Sequence, residues 1–271
     1  AIKAALDRGY AVAVSDYQGM GLPGGHTYMV GRSLGYAVLD MARAAQQLPG
    51  TGLSATTPVG IWGYSEGGAA AGWAAELAGS YAPELKLKGV AMGGVPADLV
   101  EVAGPLDGSA FLALELMTAV GYDTAYPELD LESYLNDAGR DLMVQLDGVC
   151  LVSVDGLEGI LGTAFKHVSD YTTHNPLDDA TWLNRLNANK LGKGKPTVPV
   201  FQYHALADEM VDYGQGAQLR KTYCAKGVNE TWAVFPIAEH LTGMLEGQTP
   251  ALDFLSARFS GLPAISNCWM P

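Results

Sequence analysis

Apolar and polar positions along the chain fall into two kinds of run. Short, nearly continuous apolar stretches at residues 10–15, 59–62, 87–92, 198–205 and 231–235 read as buried strands. Helical spacing marks residues 1–8, 32–48, 213–226 and 251–259. Strands alternating with helices predict a mostly parallel sheet covered on both faces. Residues 97–195 break that alternation, with helical runs at 111–117 and 157–165 separated by polar breaks. They read as an inserted helical cap, and residues 191–196, rich in Gly and Lys, read as the linker back. The expected division is therefore core (1–96), cap (97–195) and core again (196–271). No internal repeat is visible.

One strand carries candidate chemistry. The run at 59–62 passes through Gly63-Tyr64-Ser65-Glu66-Gly67 into Gly68-Ala69-Ala70-Ala71-Gly72. A Gly-x-Ser-x-Gly motif is weak alone, because the chain has 34 glycines. Placed after a buried strand and before a small-residue helix, it predicts a strained turn with the serine at its apex. Gly63 and Gly67 are then required because a Cβ at either position would clash with the neighbouring backbone. Ser65 is the expected nucleophile for acyl transfer.

Charge narrows the partners. The net charge is −13. Residues 98–195 hold 16 acidic and 6 basic side chains, so about −10 of that charge lies in the cap stretch. Nucleic acid is excluded as a partner, since phosphate binding needs clustered Lys and Arg. No run approaches the roughly 18 apolar residues of a membrane span. No Cys or carboxylate cluster accompanies His167 and His174, so no metal or cofactor is expected.

The partners of a nucleophilic serine are a base and an acid that orients the base. Asp208 follows the strand at 198–205, and His240 follows the strand at 231–235. His240 would take the Ser65 proton, and Asp208 would set the imidazole tautomer. Glu209 and Asp212 are rival acids. His26 is a candidate for the site mouth, and His204, inside a strand, reads as a core histidine. An oxyanion hole needs two N–H donors, one from Glu66 and one from Asp16 or its neighbour Tyr17.

These segments occur in a recognisable order: Ser15-Asp16-Tyr17-Gln18-Gly19, Gly35-Tyr36-Ala37-Val38-Leu39-Asp40, Gly63-Tyr64-Ser65-Glu66-Gly67-Gly68, Tyr203-His204-Ala205 with Asp208-Glu209, and Glu239-His240-Leu241-Thr242. Together they resemble the secretory lipase family, in its bacterial branch, over nearly the whole chain. The resemblance implies an α/β-hydrolase fold and a secreted esterase or lipase acting on neutral esters, with possible acyl transfer to alcohols. It implies Ser65, Asp208 and His240 as triad, Asp16 and Glu66 as oxyanion donors, and a helical cap over an acyl-binding tunnel. Tyr17, Tyr64, Phe111, Leu112 and Leu116 are the expected substrate contacts, with Met117, Leu157, Ile160 and Leu161 further along the cap. The family often has Pro shortly after the acid, where this chain has Asp212. In this fold a further strand separates the strands at 10–15 and 59–62, so an upstream segment completing the sheet is expected. Cys224 and Cys268 are expected to form a disulfide, with Cys150 pairing upstream. The alternatives are a short-chain esterase, a serine peptidase, or an inactive lipid-binding module on the same fold.

Overall fold

A computed structural model describes residues 1–21, 24–146, 149–150 and 153–270. The chain forms two compact units, one of Ala1–Ser15, Leu34–Ala97 and Leu191–Pro271, the other of Asp16–Ser33 and Asp98–Lys190. The first is built on four parallel strands in the order β1 (Val59–Tyr64), β2 (Leu87–Gly93), β3 (Val200–Ala205) and β4 (Glu230–Phe235). Two helices precede the sheet in sequence, the short α1 (Ile2–Leu6) and the longer α2 (Gly31–Gln47), and α3 (Glu66–Tyr81) links β1 to β2.

Side chains alternate across the sheet. Met92, Gln202 and His204 face one side, against Gly72 of α3 and Gly216 of a later helix. Gly89, Ala91, Gly93, Phe201 and Tyr203 face the other, against the C-terminal helix. That period of two sorts every second strand residue to one face. The return linker is not loose: Glu76 of α3 accepts the Gly192 and Gly194 N–H groups at 2.6 Å each and the Tyr223 hydroxyl at 2.8 Å.

Residues 10–15, expected as a buried strand, form no ladder and are largely exposed, Val14 at 66%. The physical reason is pairing. An apolar run becomes a strand only where a neighbouring backbone accepts its hydrogen bonds, and among the described residues β1 pairs with β2 alone.

The second unit is helical: α4 (Leu99–Leu106), α5 (Leu112–Ala125), α6 (Asp137–Leu146), α7 (Val154–Thr163) and α8 (Ala180–Ala188). Leu112, Leu116, Met117, Leu142, Leu146 and Val168 form its core. Residues 16–33, placed by sequence with the core, group here instead. A Cβ on Gly121 of α5 would lie 2.4 Å from the Tyr28 carbonyl oxygen, and one on Gly25 would lie 2.9 Å from Thr124. Backbone that close to a helix needs glycine on one side.

The remaining helices are α9 (Tyr213–Ala225) and α10 (His240–Phe259). α10 runs eleven residues further toward the N-terminus than residue 251, where sequence reading began it. Gly243, Gly247 and Pro250 argue against a helix by propensity. Tertiary packing overrides them: a Cβ on Gly247 would lie 2.0 Å from Tyr203, and one on Gly243 would lie 2.8 Å from the Tyr64 hydroxyl. Cys224 and Cys268 are joined by a disulfide with Cα atoms 5.5 Å apart. No helix among the described residues is long and apolar enough to cross a membrane.

Candidate active site

Ser65 sits between β1 and α3 with φ +58° and ψ −122°, a conformation that side-chain-bearing residues rarely adopt. The turn is held from both sides. The Ser65 N–H donates to the Gly93 carbonyl at 3.0 Å, and the Ser65 carbonyl accepts the Ala69 N–H at 3.0 Å, opening α3. A Cβ on Gly63 would lie 1.9 Å from the Gly67 carbonyl oxygen, and one on Gly68 would lie 2.4 Å from the Gly93 carbonyl oxygen. The expected clash at position 63 is therefore with the first turn of α3 itself. The requirement at position 68 depends on how closely α3 crosses β2, which the motif alone does not reveal.

Asp208 follows β3 and its side chain is fully buried. Its Oδ1 accepts the Val211 N–H at 2.8 Å and the Met210 N–H at 3.1 Å. His240 Nδ1 lies 2.8 Å from each Asp208 oxygen, so the ring donates into the carboxylate and its Nε2 is left as the proton acceptor. Burial works against the Asp208 charge. Hydrogen bonds from His204 and His240, electrostatic attraction to the His240 ring and the Val211 N–H outweigh it and hold the group well below the usual carboxylate range. Asp208 is thus an anion throughout the physiological range.

His240, which follows β4, is the first residue of α10. Glu239 caps that helix, accepting the Leu241 and Thr242 N–H groups at 2.8 Å each. The rival acid Glu209 accepts the His240 backbone N–H at 3.1 Å, so it touches the residue and not the ring nitrogen. Asp212, the other rival, caps α9 through the Gly214 N–H.

Tyr64 connects the serine turn to the histidine. Its hydroxyl donates to the His240 carbonyl at 2.6 Å, and the two rings lie 5.0 Å apart. Burial, with Asp208 nearby, pushes its phenol well above the ordinary tyrosine value, so it stays a donor. His204, read from sequence as a core histidine, also touches the acid. Its Nε2 donates to the Val211 carbonyl at 2.8 Å and lies 3.4 Å from Asp208 Oδ2. The spacing of four from His204 to Asp208 was the visible signal. Glu66, the first residue of α3, has its carboxyl pushed up to about 7 by burial.

Asp16 and Tyr17 open the second unit, Asp16 exposed and Tyr17 at φ +60°. His26 is buried there, and burial lowers its imidazole. His167 bonds Asp107 at 3.0 Å and His174 bonds Thr173 at 3.0 Å, so the two hold separate partners. The atoms of Cys224, Cys268 and Glu230 cluster within 4.8 Å, but the disulfide uses both sulfurs.

The second unit contains a cavity of about 70 Å³ lined mostly by apolar side chains. One water needs roughly 10–15 Å³, so this volume holds about five such groups. Leu116 lines it, as do Leu99, Leu106 and Met143. Of the other expected pocket residues, Leu112 is packed into the unit's core and Phe111 sits at the start of α5. Leu157 and Leu161 point to solvent, at 53% and 75% exposure. Helical spacing places residues on a face but does not say which face is covered. Sequence reading passed over Glu115 and Tyr122, which also line the cavity. The signal for Glu115 was a lone acid inside the apolar run 111–117.

Comparison with known proteins agrees with this geometry. The chain is 33% identical over 268 residues to a probable inactive lipase of Mycobacterium tuberculosis, covering 97% of the chain and 58% of that protein. It is 32% identical to lipase A of Moesziomyces aphidis, covering 98% of the chain and 58% of that protein. The solved structure of Candida antarctica lipase A superposes on all of the chain and 63% of its own length, at 32% identity and a TM-score of 0.89. The chain thus spans about 58% of the length of the curated relatives it matches. Its parallel sheet covered by helices on both faces is the α/β-hydrolase fold. With the serine on a strained strand-to-helix turn, the buried Asp208–His240 pair on the same unit and a secretory lipase family model matching residues 1–267, this chain belongs to the secretory lipase family.

Proposed function

We propose that the protein hydrolyses neutral carboxylic esters with apolar acyl chains through an acyl-enzyme on Ser65. The observation that carries this is the Asp208 carboxylate holding His240 Nδ1 with both oxygens, while Tyr64, the residue before Ser65, donates its hydroxyl to the His240 carbonyl. His240 Nε2 removes the hydroxyl proton as Ser65 Oγ attacks the ester carbonyl carbon. The carbonyl π pair moves to oxygen, and the Glu66 N–H at the head of α3 receives that oxyanion. Asp16, in the other unit, is the proposed second donor on the family resemblance. Collapse of the tetrahedral species expels the alcohol, which takes its proton from His240. Water, activated by the same imidazole, then cleaves the acyl-enzyme and releases the acid. Another alcohol in place of water gives acyl transfer. The apolar cavity of the second unit is the proposed site for part of the acyl chain.

The name of the mycobacterial relative favours a second reading, an inactive lipid-binding member. The full-length protein, with Ser65→Ala as control, decides between them on p-nitrophenyl esters from acetate to palmitate. Activity that rises with chain length and vanishes in the variant supports the proposal. Activity confined to acetate and butyrate makes it a short-chain esterase. No turnover, together with no labelling of Ser65 by a serine-reactive phosphonate, supports the inactive reading.

A further inference from the structure

The cavity of the second unit is mostly apolar, with Thr172, Asn175 and Trp182 also at its wall, and α5 contributes two buried oxygen atoms to it. Glu115 Oε2 and Tyr122 Oη are both buried and have no hydrogen-bond partner among the described residues, as is also true of the Trp182 indole Nε1. Seven residues apart, they lie on one face of α5, about 10.5 Å apart along the axis. The other α5 polar group at the cavity, the Thr118 hydroxyl, is already used, donating to the Leu114 carbonyl at 2.7 Å. A buried polar atom left unpaired costs about 1–3 kcal/mol. A cavity serving only saturated chains would have no use for two of them. We propose that this cavity takes an acyl segment carrying a hydroxyl or another oxygen substituent, which Glu115 and Tyr122 bind.

The chemistry of the two groups agrees. Burial, with the Asp107 carboxylate adding to it, pushes Glu115 up to about 8, so at neutral pH it is a carboxylic acid able to donate and accept. Burial also raises the Tyr122 phenol well above its ordinary value, keeping it neutral. Two neutral groups with both donor and acceptor capacity suit an alcohol oxygen. A fixed charge left unpaired in that apolar lining would lose its hydration without compensation. The surrounding Leu99, Leu106, Leu116 and Met143 hold the methylenes on either side.

That the ligand is an acyl chain rests on the ester-hydrolase reading, and the test separates the two. In the full-length protein, KM for p-nitrophenyl octadecanoate is compared with KM for its mid-chain hydroxy derivatives. At one hydroxyl position KM is expected to be about tenfold lower than for the plain chain. Glu115→Leu removes that preference and lowers KM for the plain chain. Glu115→Gln keeps shape and donor and retains the preference. Tyr122→Phe retains part of it. Calorimetric binding of octadecanamide and its hydroxy derivatives to Ser65→Ala protein needs no turnover. A preference there that Glu115→Leu abolishes supports the inference even if no ester is hydrolysed, in which case only the enzymatic reading fails. Equal KM and equal affinity for plain and hydroxylated chains at every position overturn it, the two groups then holding water alone.

Discussion

Replacing Asp208 by Asn tests the assignment of the acid directly. The substitution preserves shape, and its carbonyl oxygen can still accept the Val211 and Met210 N–H groups, now at 2.8 and 3.1 Å. Held that way, the amide puts its NH2 where Oδ2 now lies 2.8 Å from His240 Nδ1, and the one oxygen left near that nitrogen is already shared by two backbone N–H groups. Two donors cannot face each other. The imidazole proton moves to Nε2, the atom that must accept the Ser65 proton, and the imidazolium formed during attack loses its counter-charge. In Ser-His-Asp enzymes this change costs about 10,000-fold in kcat. At about 1.36 kcal/mol per tenfold, that is about 5.4 kcal/mol of transition-state stabilisation. The assay is initial rates on a soluble p-nitrophenyl ester, with a thermal melt to show that the variant is folded. Glu209→Gln is the companion, because Glu209 bonds only the His240 backbone N–H, and its loss is expected to stay within about tenfold. A folded Asp208→Asn protein within tenfold of wild-type kcat would refute the reasoning. So would a Glu209→Gln variant carrying the larger loss.

Two further outcomes follow from packing and burial. Gly63→Ala puts a Cβ 1.9 Å from the Gly67 carbonyl and should abolish both the turn and ester hydrolysis, whereas Gly104→Ala, in α4 with nothing within 4 Å, should raise stability by roughly 0.5–1 kcal/mol in urea titrations. Glu230 is fully buried, and burial, only partly offset by Arg220, pushes its carboxyl from 4.5 up to about 8. The folded state therefore holds this proton more tightly than the unfolded chain. Stability contributed by the neutral form is full below about 4.5, falls as pH rises toward about 8, and is level above that. At about 1.4 kcal/mol per unit, the loss is at most about 5 kcal/mol. Melting curves of Glu230→Gln should lack this descent across the window, and an unchanged descent would show that other groups cause it.

Local sequence was sufficient for what local physics dictates. Apolar runs bounded by Gly and polar residues marked β1 to β4 almost to the residue, because parallel strands covered on both faces are mostly apolar. The elbow at Ser65 was legible because only glycine at position 63 lets the chain turn so sharply. Chain order after two strands pointed to Asp208 and His240. Tertiary structure decided the rest, because it depends on contacts between residues distant in sequence. It placed the His240 ring nitrogen 2.8 Å from Asp208 and only the His240 backbone N–H, at 3.1 Å, on Glu209. It extended α10 through Gly243, Gly247 and Pro250, since Tyr64 and Tyr203 occupy the space that side chains would need. Residues 10–15 stayed out of the sheet, although their composition is that of a strand, because a strand exists only with a partner. Periodicity described α5 and α7 alike, yet packing exposed Leu157 and Leu161 and turned Glu115 and Tyr122 into a cavity. A sequence states which residues prefer burial, and only the fold determines what they are buried against.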